Sequence, residues 1–116
     1  MSESCIFCKI VAGAIPSKKI YEDEQVLAFH DIHPQAPVHA LVIPKRHIVC
    51  MDDLGEADRE MAGYLMERTA HVARLLNVAQ NGYRTLLNTR AHGGQEVDHL
   101  HVHILGGTRI GPMVCR

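Results

Sequence analysis

The segment Asp98-His99-Leu100-His101-Val102-His103-Ile104-Leu105 alternates imidazole with aliphatic side chains. A strand turns successive side chains to opposite faces, so the alternation predicts a strand over His99–Leu105. Leu100, Val102 and Ile104 would pack into a core, and His99, His101 and His103 would line the other face. Stability alone gives little reason for such a face. Histidine is a weak strand former, and partial protonation would crowd like charges. The chain is therefore expected to build a sheet with one apolar and one chemically active surface.

Other segments supply partners for that strand. Ile20–Glu22 and Gln25–His30 read as an antiparallel hairpin turning at Asp23-Glu24. Ala40-Leu41-Val42-Ile43 reads as a buried central strand ending at Pro44, which cannot donate to a ladder. Between Glu56 and Leu76, apolar Met61, Leu65, Val72 and Leu76 recur at helical spacing while charged residues cover the remaining surface. This predicts the one long helix, with Asp53 as N-cap and Asn77 or Gly82 as its stop. Tyr83–Asn88 reads as a further strand before a polar loop containing Gly93-Gly94. About five strands and one main helix predict an α+β layer fold, and 116 residues suit a single domain spanning positions 1–116.

Composition narrows the function. A formal net charge of −1 lacks the positive field that a nucleic-acid polymer attracts, and no apolar run is long enough to predict a membrane span. The opening Met1-Ser2-Glu3-Ser4-Cys5 does not resemble a signal peptide, so the expected setting is the cytoplasm. The four cysteines are expected to stay reduced there. Cys5-Ile6-Phe7-Cys8 has the gap at which two thiolates grip one tetrahedral metal, although a lone pair is half a site. Cys50 and Cys115 receive no role. No His-Glu-x-x-His, zinc-deaminase signature or Walker-type loop is present.

Nine histidines are many for this length. Neutral imidazole either ligates metal or attacks an electrophile near neutral pH, and the residue pattern alone leaves both open.

The histidine alternation, together with Phe29-His30-Asp31-Ile32, Pro34-Gln35-Ala36-Pro37, His39, Ile43-Pro44-Lys45, His47, Asn88 and Gly93-Gly94-Gln95-Glu96-Val97, resembles the histidine triad (HIT) family, and within it the Hint branch. The likeness spans nearly the whole chain. It implies a HIT-like fold with a five-stranded antiparallel sheet, one long helix and a short N-terminal helix. It also implies a homodimer whose sheets join, and hydrolysis of purine nucleoside 5′-phosphoramidates or acyl-nucleotides.

Carried over position by position, the resemblance makes His101 the nucleophile that forms a covalent nucleotidyl-histidine. His103 and His39 would support the phosphate and a charge relay. A backbone carbonyl near His99 would orient the nucleophilic ring through its second nitrogen. Backbone N–H groups around Gly94, Gln95, Glu96 and Val97, with Asn88, would meet the phosphate. Asp31 would accept hydrogen bonds from the ribose hydroxyls, and Ile6, Phe7, Ile10, Phe29, His30 and Ile32 would line the pocket for a purine nucleotide of the AMP or GMP type. Glu96 departs from the animal pattern, where serine is usual near the leaving group. His33 and His92 receive no catalytic role.

The same resemblance completes the cysteine pair with His47 and His99 as ligands to a zinc ion. Four protein ligands close the shell, so such an ion would be structural. Two rival readings remain at this point: a dinucleoside polyphosphate hydrolase of the Fhit type, and a nucleotide- or zinc-binding interaction module.

Overall fold

The computed structural model describes residues 4–114; Cys115 lies outside them. Five antiparallel strands, β1 (Lys19–Glu22), β2 (Val26–His30), β3 (Val38–Pro44), β4 (Arg84–Leu86) and β5 (Val102–Gly106), form one sheet in the order β1-β2-β3-β5-β4. Helix α1 (Ile6–Val11) precedes the sheet, α2 (Arg59–Leu75) crosses between β3 and β4, and a short α3 (Arg90–Gly93) leads into the histidine segment.

The near-continuous apolar runs of β2 and β3 follow from burial on both faces. Val26 and Ala28 of β2 and Ala40 and Val42 of β3 pack under α2 with Leu65, Val72 and Ala73. The intervening Leu27, Phe29, Leu41 and Ile43 pack on the opposite face with Phe7 and Ile10 of α1. Leu100, Val102 and Ile104 join the α2-side core, as the alternation predicts. The histidines between them therefore turn to the α1 side, where a second core meets them, rather than to open solvent.

Several boundaries differ from the sequence expectation, among them β3, which begins at Val38 instead of Ala40 and takes in Pro44. The last strand begins at Val102, so His99 and His101 lie just ahead of the ladder. Val102 pairs with Val42, which would bring the next rung, Leu100, opposite Pro44; proline has no N–H to give, and Leu100 N–H donates to the Ile48 carbonyl instead, at 2.6 Å. The strand expected at Tyr83–Asn88 is confined to Arg84–Leu86.

The long helix starts at Arg59 instead of Glu56, because Met51–Asp53 and Glu56–Asp58 are separate 3₁₀ turns. Asp53 is therefore not its N-cap. Asp58 stands there, with Oδ2 accepting from Gly55 N–H at 2.9 Å. At the other end Asn77 takes a left-handed φ of 60°, and the N–H groups of Asn77 and Val78 return to the carbonyls of Arg74 and Ala73 at 3.1 and 3.2 Å. This is a Schellman stop with asparagine in place of glycine.

Candidate active site and metal cluster

The antiparallel register brings the site together. His39 of β3 pairs with Leu105, and Leu41 pairs with His103. His39 and His103 thus become diagonal neighbours on one face, a separation that long side chains bridge. Their rings meet with His39 Nε2 2.8 Å from His103 Nδ1.

Hydrogen bonds assign the protons in this group. The Gln35 backbone N–H donates to His39 Nδ1 at 3.0 Å, so a neutral His39 carries its proton on Nε2. Burial keeps His39 neutral by pulling its pKa below the ordinary value, against the opposing pull of Asp31. Its Nε2–H then donates to His103 Nδ1, which leaves the proton of a neutral His103 on Nε2. That Nε2 is buried and has no hydrogen-bond partner among the described residues. Burial, with the neighbouring His101 and His39, lowers the His103 pKa to about 4. The result is a row of neutral rings ending in an unanswered N–H donor. Asp31, His39 and His103 lie close enough together to suggest a second metal site. However, a proton on His39 Nε2 occupies the lone pair a metal would need, so the trio reads as a relay.

His101 is 6% exposed. Its Nδ1 lies 2.6 Å from the His99 carbonyl, which can only accept. In the neutral ring this bond puts the proton on Nδ1 and the lone pair on Nε2, as expected from sequence. The ring packs edge-on against Phe7 at 5.2 Å and tilts against His103 at 4.9 Å.

A cavity of about 730 Å³ is lined by Ser17, Lys18, His30, Asp31, Ile32 and His39, among others, and of the three rings only His39 borders it. Asp31 Oδ1 accepts the His33 backbone N–H at 2.8 Å, and Oδ2 lies 3.4 Å from His39 Nε2. A smaller cavity of about 300 Å³ holds Ile6, Glu96 and Val97 next to Cys5 and His47. The residues expected around a base are therefore divided. His30 and Ile32 face the larger cavity and Ile6 the smaller, while Phe7, Ile10 and Phe29 are buried in the core that supports the histidines. Asn88 backs the α3 loop, close to Gly93. Sequence reasoning missed Ser17, whose buried hydroxyl has no partner among the described residues.

On the far side of His101, Cys5, Cys8, His47 and His99 converge. Cys5 Sγ lies 3.3 Å from His99 Nδ1, Cys8 Sγ lies 3.2 Å from His47 Nδ1, and the two Nδ1 atoms lie 3.2 Å apart. A tetrahedral ion with bonds of roughly 2.3 Å to sulfur and 2.0 Å to nitrogen would put ligand atoms about 3.3–3.8 Å apart, so the donors fit a zinc-sized ion. His99 Nε2 donates to the Pro44 carbonyl at 2.8 Å, turning the Nδ1 lone pair toward the cluster. Burial pushes the Cys5 thiol up, so a bound cation is what would hold it as thiolate at neutral pH. Cys50 is buried away from this group and contacts Asp53.

Comparison with known proteins agrees with this architecture. The HIT domain matches residues 12–110. The chain is 44% identical over 114 residues to the purine nucleoside phosphoramidase of Escherichia coli K12, covering 98% of this chain and 96% of that protein. It is 48% identical over 113 residues to an uncharacterised HIT-like protein of Azospirillum brasilense, covering 96% and 92%. Among solved structures, a HIT family hydrolase from Clostridium thermocellum superposes with a TM-score of 0.95 at 42% identity, covering 99% of this chain and 100% of that one. A histidine triad protein from Clostridium difficile gives 0.93 at 40% identity, covering 98% and 99%.

Proposed function

The chain belongs to the HIT domain family, and on that footing we propose that it hydrolyses purine nucleoside 5′-phosphoramidates and related acyl-nucleotides through a covalent nucleotidyl-His101. The observation that carries this reading is the 2.6 Å bond from His101 Nδ1 to the His99 carbonyl, which in the neutral ring puts the lone pair on Nε2 and holds the ring in place. The similarity to the Escherichia coli phosphoramidase supports the substrate class.

In the first step, His101 Nε2 forms a bond to phosphorus as the phosphorus–nitrogen bond breaks. The amine leaves with the electron pair and takes a proton from water. In the second step, water adds to phosphorus, the Nε2–phosphorus bond breaks, and imidazole regains its lone pair as the spare proton departs. Two displacements at modest barriers replace one difficult hydrolysis. The unanswered Nε2–H of His103 suits a phosphoryl oxygen, and the His39 Nε2–H behind it polarises the same row. Asp31, in the larger cavity, suits a vicinal diol because a carboxylate can accept two hydroxyl donors. The Gly94 and Gln95 N–H groups, expected from the sequence to meet the phosphate, are taken up by the Ala91 and Arg90 carbonyls at 3.1 Å, so the N–H groups of Glu96 and Val97 would complete the phosphate cradle.

Cys5, Cys8, His47 and His99 would hold a zinc ion, which supplies structural cross-linking when bound, since its shell is closed by protein. A thiol-rich cluster of this kind fits a reducing cytoplasmic setting. We further read the protein as one domain that pairs with a second copy, as its resemblance to Hint proteins implies.

Turnover of adenosine 5′-phosphoramidate by the wild type and by His101→Ala tests the reading. The wild type should release AMP and ammonia, and the variant should lose nearly all activity while keeping its circular dichroism spectrum. Preference for diadenosine polyphosphates would favour the Fhit-type alternative instead.

A further inference from the structure

Gln95 lies between α3 and the histidine segment, and its side-chain amide is spent inside the protein. Oε1 accepts the Arg90 backbone N–H at 2.9 Å, while Nε2 donates to the Val49 carbonyl at 2.6 Å and to the Val97 carbonyl at 3.0 Å. The Gln95 backbone N–H returns to the Arg90 carbonyl at 3.1 Å, closing a reciprocal pair. Both amide protons are thereby used, so no side-chain donor is left for a ligand.

The partner at the other end needs holding. Arg90 has φ +56°, a left-handed conformation that residues with an ordinary side chain seldom adopt. Gly94 is left-handed too, at φ +78°, and a Cβ there would meet nothing within 4 Å, so this corner of the turn is open to an incoming group. Val49 lies two residues beyond His47, which ties the turn to the segment carrying a cluster ligand.

We propose that Gln95 is a positioning residue: its amide sets the backbone of the Gly94–Val97 turn, whose Glu96 and Val97 N–H groups meet the phosphate while those of Gly94 and Gln95 are held by the Ala91 and Arg90 carbonyls, without itself touching substrate. The proposal rests on the nucleotide-hydrolase reading above. Donors fixed by backbone act most strongly on charge that develops during transfer, so their displacement lowers kcat more than it weakens binding. Binding held by Asp31 in the larger cavity is untouched.

The test compares wild type, Gln95→Ala and the double variant Arg90→Gly/Gln95→Ala, with adenosine 5′-phosphoramidate as substrate and amide hydrogen exchange as a second readout. Gln95→Ala should lower kcat by about ten- to a hundredfold with KM within about threefold, somewhat less than outright removal of a phosphate-facing donor. Exchange at Gly94–Val97 should quicken by at least about tenfold while the α2-side core stays protected. Arg90→Gly, which adopts the left-handed turn without help, should recover at least about threefold of the lost kcat. A rise in KM at constant kcat would mean direct ground-state contact and overturn the proposal. So would unaltered exchange, absence of rescue, or global unfolding of both variants, since the effect claimed is confined to one turn. If wild type itself fails to turn over the substrate, the functional reading falls, while the exchange comparison still decides whether Gln95 holds the turn.

Discussion

His99 and His101 are joined by more than their place in one motif. The imidazole of His99 lies among Cys5, Cys8 and His47, while its backbone carbonyl, 2.6 Å from His101 Nδ1, fixes the tautomer of the neighbouring ring. One residue therefore connects the sulfur cluster to the proposed nucleophile through a few covalent bonds.

Removing the proposed zinc ion should act on both. Chelation at neutral pH is expected to lower Tm by at least about 5 °C, the change that roughly 1 kcal/mol of lost stability produces in a domain of this size. It should also reduce kcat, because the His99 carbonyl loses its anchor. Calorimetry with metal analysis on the same samples checks this, and an unchanged Tm after complete metal removal would contradict the structural role.

The buried relay predicts a pH dependence of stability. His103, held near pKa 4 by burial and its neighbouring rings, binds fewer protons folded than unfolded between about pH 4 and the ordinary value of 6.5. Its contribution is fully present above about 6.5 and is lost as pH falls through that window. The lowered His39 acts in the same direction. Replacing His103 with Gln should flatten the decline of Tm between pH 6.5 and 4; an equally steep decline would show that other groups control it.

Asp31→Asn tests ribose recognition. A carboxylate accepting hydroxyl donors contributes about 1.5–3 kcal/mol, so KM for a nucleoside phosphoramidate should rise about tenfold or more. A 2′,3′-dideoxy substrate should show no such penalty. Equal losses on both substrates would remove the diol from the account.

Away from the site, Asp23 accepts hydrogen bonds from the Tyr21 and Tyr64 hydroxyls and from the Gln25 and Val26 N–H groups, pinning the β1–β2 turn to α2. These bonds hold its carboxyl well below the usual range despite partial burial. Asp23→Ala should cost about 2–3 kcal/mol of stability with kcat nearly unchanged, as urea titration and steady-state assays would show.

Much of this was legible from residue pattern, and the exceptions have local causes. Period-two alternation correctly assigned Leu100, Val102 and Ile104 to the core, and 3.6-residue periodicity correctly located α2. The early end of the β3–β5 ladder was harder to see, because it depends on Pro44 falling opposite Leu100, a register that the sequence does not display. Helix onset shifted because local 3₁₀ turns competed for Asp53 and Asp58. At the site, the carbonyl partner of His101 was expected once the family resemblance had made that ring the nucleophile. The Gln95 staple did not, since its partners Arg90 and Val49 lie 5 and 46 residues away, and nothing about an arginine signals a left-handed backbone.

The central claim is that a phosphorus atom becomes bonded to His101. Rapid acid-free quenching during turnover of adenosine 5′-phosphoramidate, followed by peptide mass spectrometry, measures this directly. The account predicts a transient adenylyl adduct on the peptide containing His101, absent from His101→Ala. Full turnover with no adduct at any time point, or an adduct on another histidine, would contradict it.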